Sequence, residues 1–151
     1  MKKVLFIDRD GTMIIEPQPS QQVDTLEKLE FLPYCISSLK KLQDHDYELV
    51  MVSNQDGRGT ESFPEDDFRK PHQKMLNILA SEGITFAEIF IDNSFPHENS
   101  PNRKPNTGLM TRYLAANQID LENSYTIGDR PTDVQLAENL GCKAIRYFQG
   151  E

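Results

Sequence analysis

The sequence has no tryptophan, two cysteines and three histidines, and its 16 lysines and arginines fall well short of its 24 aspartates and glutamates. Each shortage excludes something. Cys35 and Cys142 sit in different segments with no CxxC spacing, so two buried free thiols in a reducing compartment are expected rather than a disulfide framework. His45, His72 and His97 do not cluster, which argues against a histidine metal centre. The formal net charge of -8 disfavours sequence-independent binding to nucleic acid or to an anionic membrane, and neither is expected as a partner. No apolar run approaches the roughly 20 residues of a membrane span. The opening MKKVLFIDRD has only four apolar residues after its two lysines, too few for a signal peptide, so the cytoplasm is the expected compartment.

What is present alternates. Short apolar runs read as strands at 4–8, 48–54, 88–93, 124–129 and 143–148. Segments of helical period lie at 33–45, 62–83, 107–118 and 131–141, and 94–106, rich in Ser, Pro and Asn, reads as a long loop. Ser62 is the expected cap of the second helix, with Pro71 marking where that helix begins or kinks. The pattern predicts one three-layer αβα, Rossmann-like domain over 1–151 around a parallel sheet.

In such sheets ligands bind at the carboxyl ends of the strands, near the point where strand order reverses. The first strand ends in Asp8 and Asp10, the second in Ser53 and Asn54, the fourth in Asp129, and the loop after the third carries Arg103 and Lys104. Several carboxylates on one rim need a cation, and oxygen ligands without Cys or His point to Mg²⁺, which favours one or two carboxylates, water and a substrate phosphate. Lys104 can hold that phosphate as a point charge, and the Ser53 hydroxyl can donate to it. One aspartate attacks phosphorus; its neighbour two residues away protonates the leaving alkoxide and then deprotonates water. Read singly, DRD is a solvated turn, Asp129 and Asp133 are helix-start acids and Lys104 is a surface lysine; read together they are a site.

DRDGT, Ser53, Lys104 in RKP and GDRPTD (128–133), in that order, resemble the four motifs of haloacid-dehalogenase-like phosphatases. NQDGRGT, SFPEDDF and SYTIGDRPTDVQLAENLG narrow the resemblance to the histidinol-phosphate phosphatase part of the bifunctional histidine-biosynthesis enzyme. The resemblance implies a core with minimal or no cap. It also implies Asp8 as nucleophile and Asp10 as acid/base, with Mg²⁺ on Asp8, the Asp10 carbonyl and Asp129. Phosphate contacts would come from Ser53, Asn54 and Lys104, and Asp133 would orient Lys104 or metal-bound water. Glu16 is the candidate for the substrate ammonium, and Arg9, Gln55, Arg58 and Arg103 are candidates for lining the pocket. The resembling enzyme is fused to a dehydratase, a partner domain expected of the natural gene. Enzymes of this kind often carry a zinc loop, Cys-x-His-x5-Cys-x-Cys. Aligned back from Arg103, those places hold Asp92, Ser94, Ser100 and Asn102, so no structural zinc is expected and the loop must be held by prolines, side-chain hydrogen bonds or packing.

Three functions compete at this stage. The leading one is hydrolysis of L-histidinol phosphate, a small phosphate monoester, through an aspartyl-phosphate in histidine biosynthesis. The second is dephosphorylation of a heptose bisphosphate. The third is a non-catalytic module that binds a phosphorylated ligand, which would have no need of Asp10.

Overall fold

VLFI and LVMV are buried along their length because helices cover both faces of the strands they form. This computed structural model describes residues 1–148. Strands β1 (Lys3–Ile7), β2 (Tyr47–Asn54), β3 (Glu88–Asp92), β4 (Tyr125–Gly128) and β5 (Lys143–Arg146) pair in parallel in the order β3-β2-β1-β4-β5. The order reverses between β1 and β4, and a crevice opens there at the carboxyl ends.

Side chains alternate across the sheet with period two, and each face builds its own core. Leu5, Ile7, Leu49 and Met51 pack with Leu39 of α1 (Cys35–Asp44) and with Met75 and Leu79 of α2 (Glu65–Ser81). On the opposite face, Val4, Phe6, Val50 and Val52 pack with Tyr113 of α3 (Thr111–Ala116) and with Leu136 and Leu140 of α4 (Pro131–Leu140). Met13, Ile14 and Val23, in the long connection between β1 and α1, join the first core and anchor that connection over the sheet.

The second helix departs from its expected start. It begins at Glu65 and runs through Pro71, and its cap residue is Pro64 rather than Ser62. Ser62 belongs to a small knot in which Thr60 Oγ1 accepts its N–H and Phe63 bridges to both Arg58 and Thr60. Glu65, Asp66 and Asp67 fill the first turn, where carboxylates meet the positive end of the helix dipole. A proline inside a helix costs roughly 3 kcal/mol, whereas burying Phe68, Met75 and Leu79 contributes about 1.5–3 kcal/mol each. The packing wins.

Other boundaries shift little. The segment at 107–118 divides into a 3-10 turn (Gly108–Met110) and α3. The cysteines are half-buried rather than buried, each is free, and burial pushes the Cys35 thiol up to about 11.

Candidate active site

Asp8 leaves β1 with its N–H bonded to the Ile127 carbonyl of β4 at 2.9 Å, which seats it at the point of strand reversal. The chain then turns tightly: the N–H groups of Met13 (2.9 Å) and Ile14 (3.2 Å) donate to the Arg9 carbonyl, and Gly11 takes φ +82°. A Cβ at Gly11 would overlap the Asp129 carboxylate. This glycine is therefore required twice, for its backbone and for the space it leaves. Gly11→Ala is expected to lower stability by about 1–3 kcal/mol through strain and to cut activity more deeply, because Asp129 must move. Thermal unfolding and phosphate release, measured on the same preparation, separate the two effects.

The Lys104 ammonium lies between two buried carboxylates, donating to Asp8 Oδ1 and to Asp133 Oδ1, each at 2.8 Å. Thr12 Oγ1 donates to the other Asp8 oxygen at 3.4 Å. Asn54 grips the Lys104 backbone from β2, its Oδ1 accepting the Lys104 N–H at 3.0 Å and its Nδ2 donating to the Lys104 carbonyl at 3.3 Å. Asp10 is held on both oxygens, by Arg9 Nη1 at 2.8 Å and by Gln55 Nε2 at 2.9 Å, and Gln55 also donates to Ser53 Oγ at 2.8 Å.

The electrostatics follow from crowding. Burial on its own would lower the Lys104 ammonium, but Asp8 and Asp133 outweigh it and hold it above its ordinary value. Burial raises the Asp10 carboxyl against the pull of Arg9, and raises Asp133 against that of Lys104. Burial first, then the hydrogen bond and charge of Asp8, push Asp129 up to about 7. Asp129 Oδ1 is buried without a hydrogen-bond partner, and Asp8, Asp129 and Asp133 each bring a carboxylate oxygen within 4.8 Å of the others. An all-oxygen donor set with an orphaned anionic atom fits a hard divalent cation.

A pH dependence follows with a definite sign. The folded Asp129 carboxyl keeps its proton up to about 7, whereas the ordinary value is 3.8. Between those limits the folded state binds more protons than the unfolded one, so stability without metal falls as pH rises through that window. Unfolding temperatures at pH 5 and pH 8, with chelator and with excess Mg²⁺, check this. The fall is expected in chelator and is expected to shrink with the cation, which takes over the charge.

The pocket at this crevice is lined by Asp8, Asp10, Ser53, Asn54, Lys104 and Asp133, with Glu16, Gln55, Asp56 and Arg130 around them. Arg9 and Arg58 do not line it, and Arg103 lines an adjoining hollow shared with Asn54 and Lys104. Arg9 is completely buried behind Asp10, 5.1 Å from the Phe68 ring. Arg58 pairs with Glu65 through two hydrogen bonds, at 2.8 and 2.9 Å, and stacks on Phe68 at 4.2 Å. Arg103 pairs with Asp56 at 2.5 Å and donates to the Ser94 carbonyl at 2.8 Å. In each case a guanidinium that looked available in the sequence is taken by a carboxylate, an aromatic ring or both. Glu16 does face the pocket and is hydrogen-bonded to Arg130, which sequence reasoning passed over. Its position between the two aspartates of GDRPTD was the available signal. His72 is stacked on Phe68 at 4.7 Å and held neutral, its pKa pushed down to about 3 by burial and the nearby Arg9 and Arg58.

The loop before Arg103 is cross-linked by its own side chains. Asp92 Oδ2 accepts from the Ser94 N–H (3.1 Å) and hydroxyl, and Asp92 Oδ1 accepts from the Ser100 hydroxyl (3.2 Å). Ser100 Oγ in turn accepts the Asn102 N–H at 3.1 Å. These are the four places set against the zinc pattern above, and they bond to one another.

The chain is 58% identical over 149 residues to the histidine biosynthesis bifunctional protein of Spirosoma linguale, and 56% identical over 149 residues to that of Bacteroides fragilis. Each match takes in 98% of this chain but only 39% and 40% of the relative, so the chain spans well under half the length of these relatives. Among solved structures, the D,D-heptose 1,7-bisphosphate phosphatase of B. bronchiseptica, complexed with magnesium and phosphate, superposes with TM-score 0.82 at 26% identity, over 94% of this chain and 78% of that one. A HAD-like phosphatase from Mesorhizobium loti shares the fold with TM-score 0.78 at 23% identity, over 93% of this chain and 69% of that one. The matching family model, described as polynucleotide kinase 3 phosphatase, takes in residues 3–143. With the ends of β1, β2 and β4 and the loop after β3 gathered at one strand reversal, the chain belongs to the polynucleotide kinase 3 phosphatase family.

Proposed function

We propose that the chain hydrolyses L-histidinol phosphate to L-histidinol and phosphate, as the phosphatase portion of a longer bifunctional protein that also carries a dehydratase. The observation that carries the reaction is Lys104 held between Asp8 and Asp133, facing a pocket whose other side is Asp10. Asp8 attacks phosphorus, the bond from phosphorus to the ester oxygen breaks, and Asp10 protonates the departing alkoxide. Asp10 then takes a proton from water, which attacks the aspartyl-phosphate and frees Asp8. Lys104 and Ser53 hold phosphate oxygens, Asn54 fixes the Lys104 backbone, and Asp133 keeps the ammonium aimed. Mg²⁺ held by Asp8, the Asp10 carbonyl and Asp129 would supply charge neutralisation at the phosphate.

The substrate reading is supported by identity of 56–58% to histidine-biosynthesis proteins. The wall of the pocket adds to it. Glu16, Ser20, Gln21, Gln22 and Asp56 present acidic and neutral oxygen acceptors suited to an ammonium and an imidazole. A heptose bisphosphate is the second reading, favoured by the superposition on a phosphatase for that sugar. A second phosphate would need a free cation at the pocket, yet Arg58 and Arg103 are tied to Glu65 and Asp56, and Arg130 is bonded to Glu16. The cytoplasm fits a biosynthetic phosphatase, and among the described residues no helix is long and apolar enough to cross a membrane.

The test is phosphate release from both substrates, with Mg²⁺ and with chelator. Faster, Mg²⁺-dependent release from L-histidinol phosphate is expected. Preference for the sugar bisphosphate would overturn the substrate, and no metal-dependent release from either would overturn the reaction.

A further inference from the structure

We propose that Asp92 is a positioning residue: by clasping the 94–102 loop it sets Lys104 against Asp8. The proposal rests on the phosphatase reading of Lys104 above. Asp92 ends β3 and is 7% exposed. Its backbone is fixed by pairing with Asn54 of β2 and by the Gln55 N–H, which donates to its carbonyl at 2.8 Å. Its side chain therefore projects from the same strand ends that carry Asn54, whose amide grips Lys104, and Gln55, whose amide holds Asp10.

An acid at a strand end commonly bonds the N–H two residues on, and Asp92 does this with Ser94. The other oxygen goes further, to the Ser100 hydroxyl eight residues away, and closes the loop. From Ser100 the tie passes to the segment that delivers the lysine. Its hydroxyl accepts the Asn102 N–H, and its carbonyl accepts the Arg103 N–H at 3.2 Å and Asn106 Nδ2 at 2.9 Å. Arg103 reaches back to the Ser94 carbonyl at 2.8 Å and completes the ring. Lys104 thus has two supports, Asn54 from beneath and the Asp92 ring from the side. Without the ring its ammonium would have to find the 2.8 Å contacts to Asp8 and Asp133 from a loop free to spread. Misplacing a catalytic group by 1 Å costs about 10²-fold in rate, so the clasp has leverage on catalysis well beyond its own hydrogen bonds.

The experiment is a double-mutant cycle of Asp92→Ala and Lys104→Ala, read on kcat with L-histidinol phosphate and on affinity for inorganic phosphate. Asp92→Ala is expected to lower kcat by about 10–100-fold well below its unfolding temperature. In the Lys104→Ala background the same change is expected to do nothing more, because Asp92 acts through that lysine. Asp92→Asn, which keeps an acceptor for Ser94, is expected to recover most of the rate. Hydrogen exchange should quicken at the Ser94 and Asn102 amides in Asp92→Ala and stay unchanged in β1 and β4. Ser100→Ala removes only the long arm and serves if Asp92→Ala does not fold. Its expected loss is smaller and equally absent in the Lys104→Ala background. Additive losses, or full activity in both clasp variants, would overturn the proposal. If the wild type ignores L-histidinol phosphate, the substrate assignment fails while the phosphate-affinity cycle still decides the role of Asp92.

Discussion

Asp8→Asn is expected to lower phosphate release by about 10⁴-fold or more, since removal of an attacking group costs losses of that order. The asparagine amide keeps the shape of the side chain and offers no anionic oxygen to phosphorus. The fold should tolerate the change. Lys104 retains its 2.8 Å pair with Asp133, and the crowding between Asp8 and Asp129 is relieved. Single-turnover phosphate release together with thermal unfolding checks both halves. A variant that kept about 1% of wild-type turnover would indicate direct attack by water, with Asp8 serving only as a ligand and a charge. An inactive variant of unchanged stability would leave the covalent route as the one open to this site.

Lys104→Met is expected to damage stability and rate together. It leaves the Asp8 and Asp133 carboxylates buried and facing one another without a cation, and breaking a buried pair from one side costs about 3–5 kcal/mol. Removal of a preorganised charge from the transferring phosphoryl group costs a further ~10²–10³-fold in rate. Lys104→Arg is not expected to rescue it, because a planar guanidinium cannot replace a compact ammonium between two carboxylates at 2.8 Å. Denaturant unfolding at pH 7 and at pH 4 separates the contributions: the stability deficit should shrink at the lower pH, because burial raises the Asp133 carboxyl and favours its protonated form. A deficit that stayed constant across that range would assign the loss to packing.

The parts of the fold that were legible in the sequence were those dictated by local composition. VLFI, LVMV and EIFID gave strands close to their observed bounds, and PTDVQLAENLG gave α4 with its closing glycine, because short apolar runs between turn residues leave few alternatives. The rim at the carboxyl ends was legible as well, since topology brings strand ends together whatever the loops do. What escaped depended on side-chain partners that only the folded chain brings together, some of them within eight residues in sequence. Arg9, Arg58 and Arg103 looked like pocket residues because Phe68, Glu65 and Asp56 do not declare themselves as their partners until the chain is folded. Asp92 read as part of the third strand, and nothing local announced that its carboxylate closes the following loop on Ser100. Pro71 read as a boundary because its local cost is visible and the burial that offsets it is not.

The strand order has a consequence for how activity appears during folding. Asp8, Ser53, Lys104 and Asp129 come from or follow four different strands, and β4, which lies after β2 and β3 in sequence, pairs with the opposite edge of β1. The contacts that assemble the site, from Lys104 to Asp8 and Asp133 and from Gln55 to Asp10, join residues 96, 29 and 45 positions apart. In a refolding experiment, turnover should therefore return with the slowest structural phase, after the helical signal of α1 and α2 has reached its native value. Recovered turnover would in that sense be a clock for the insertion of β4.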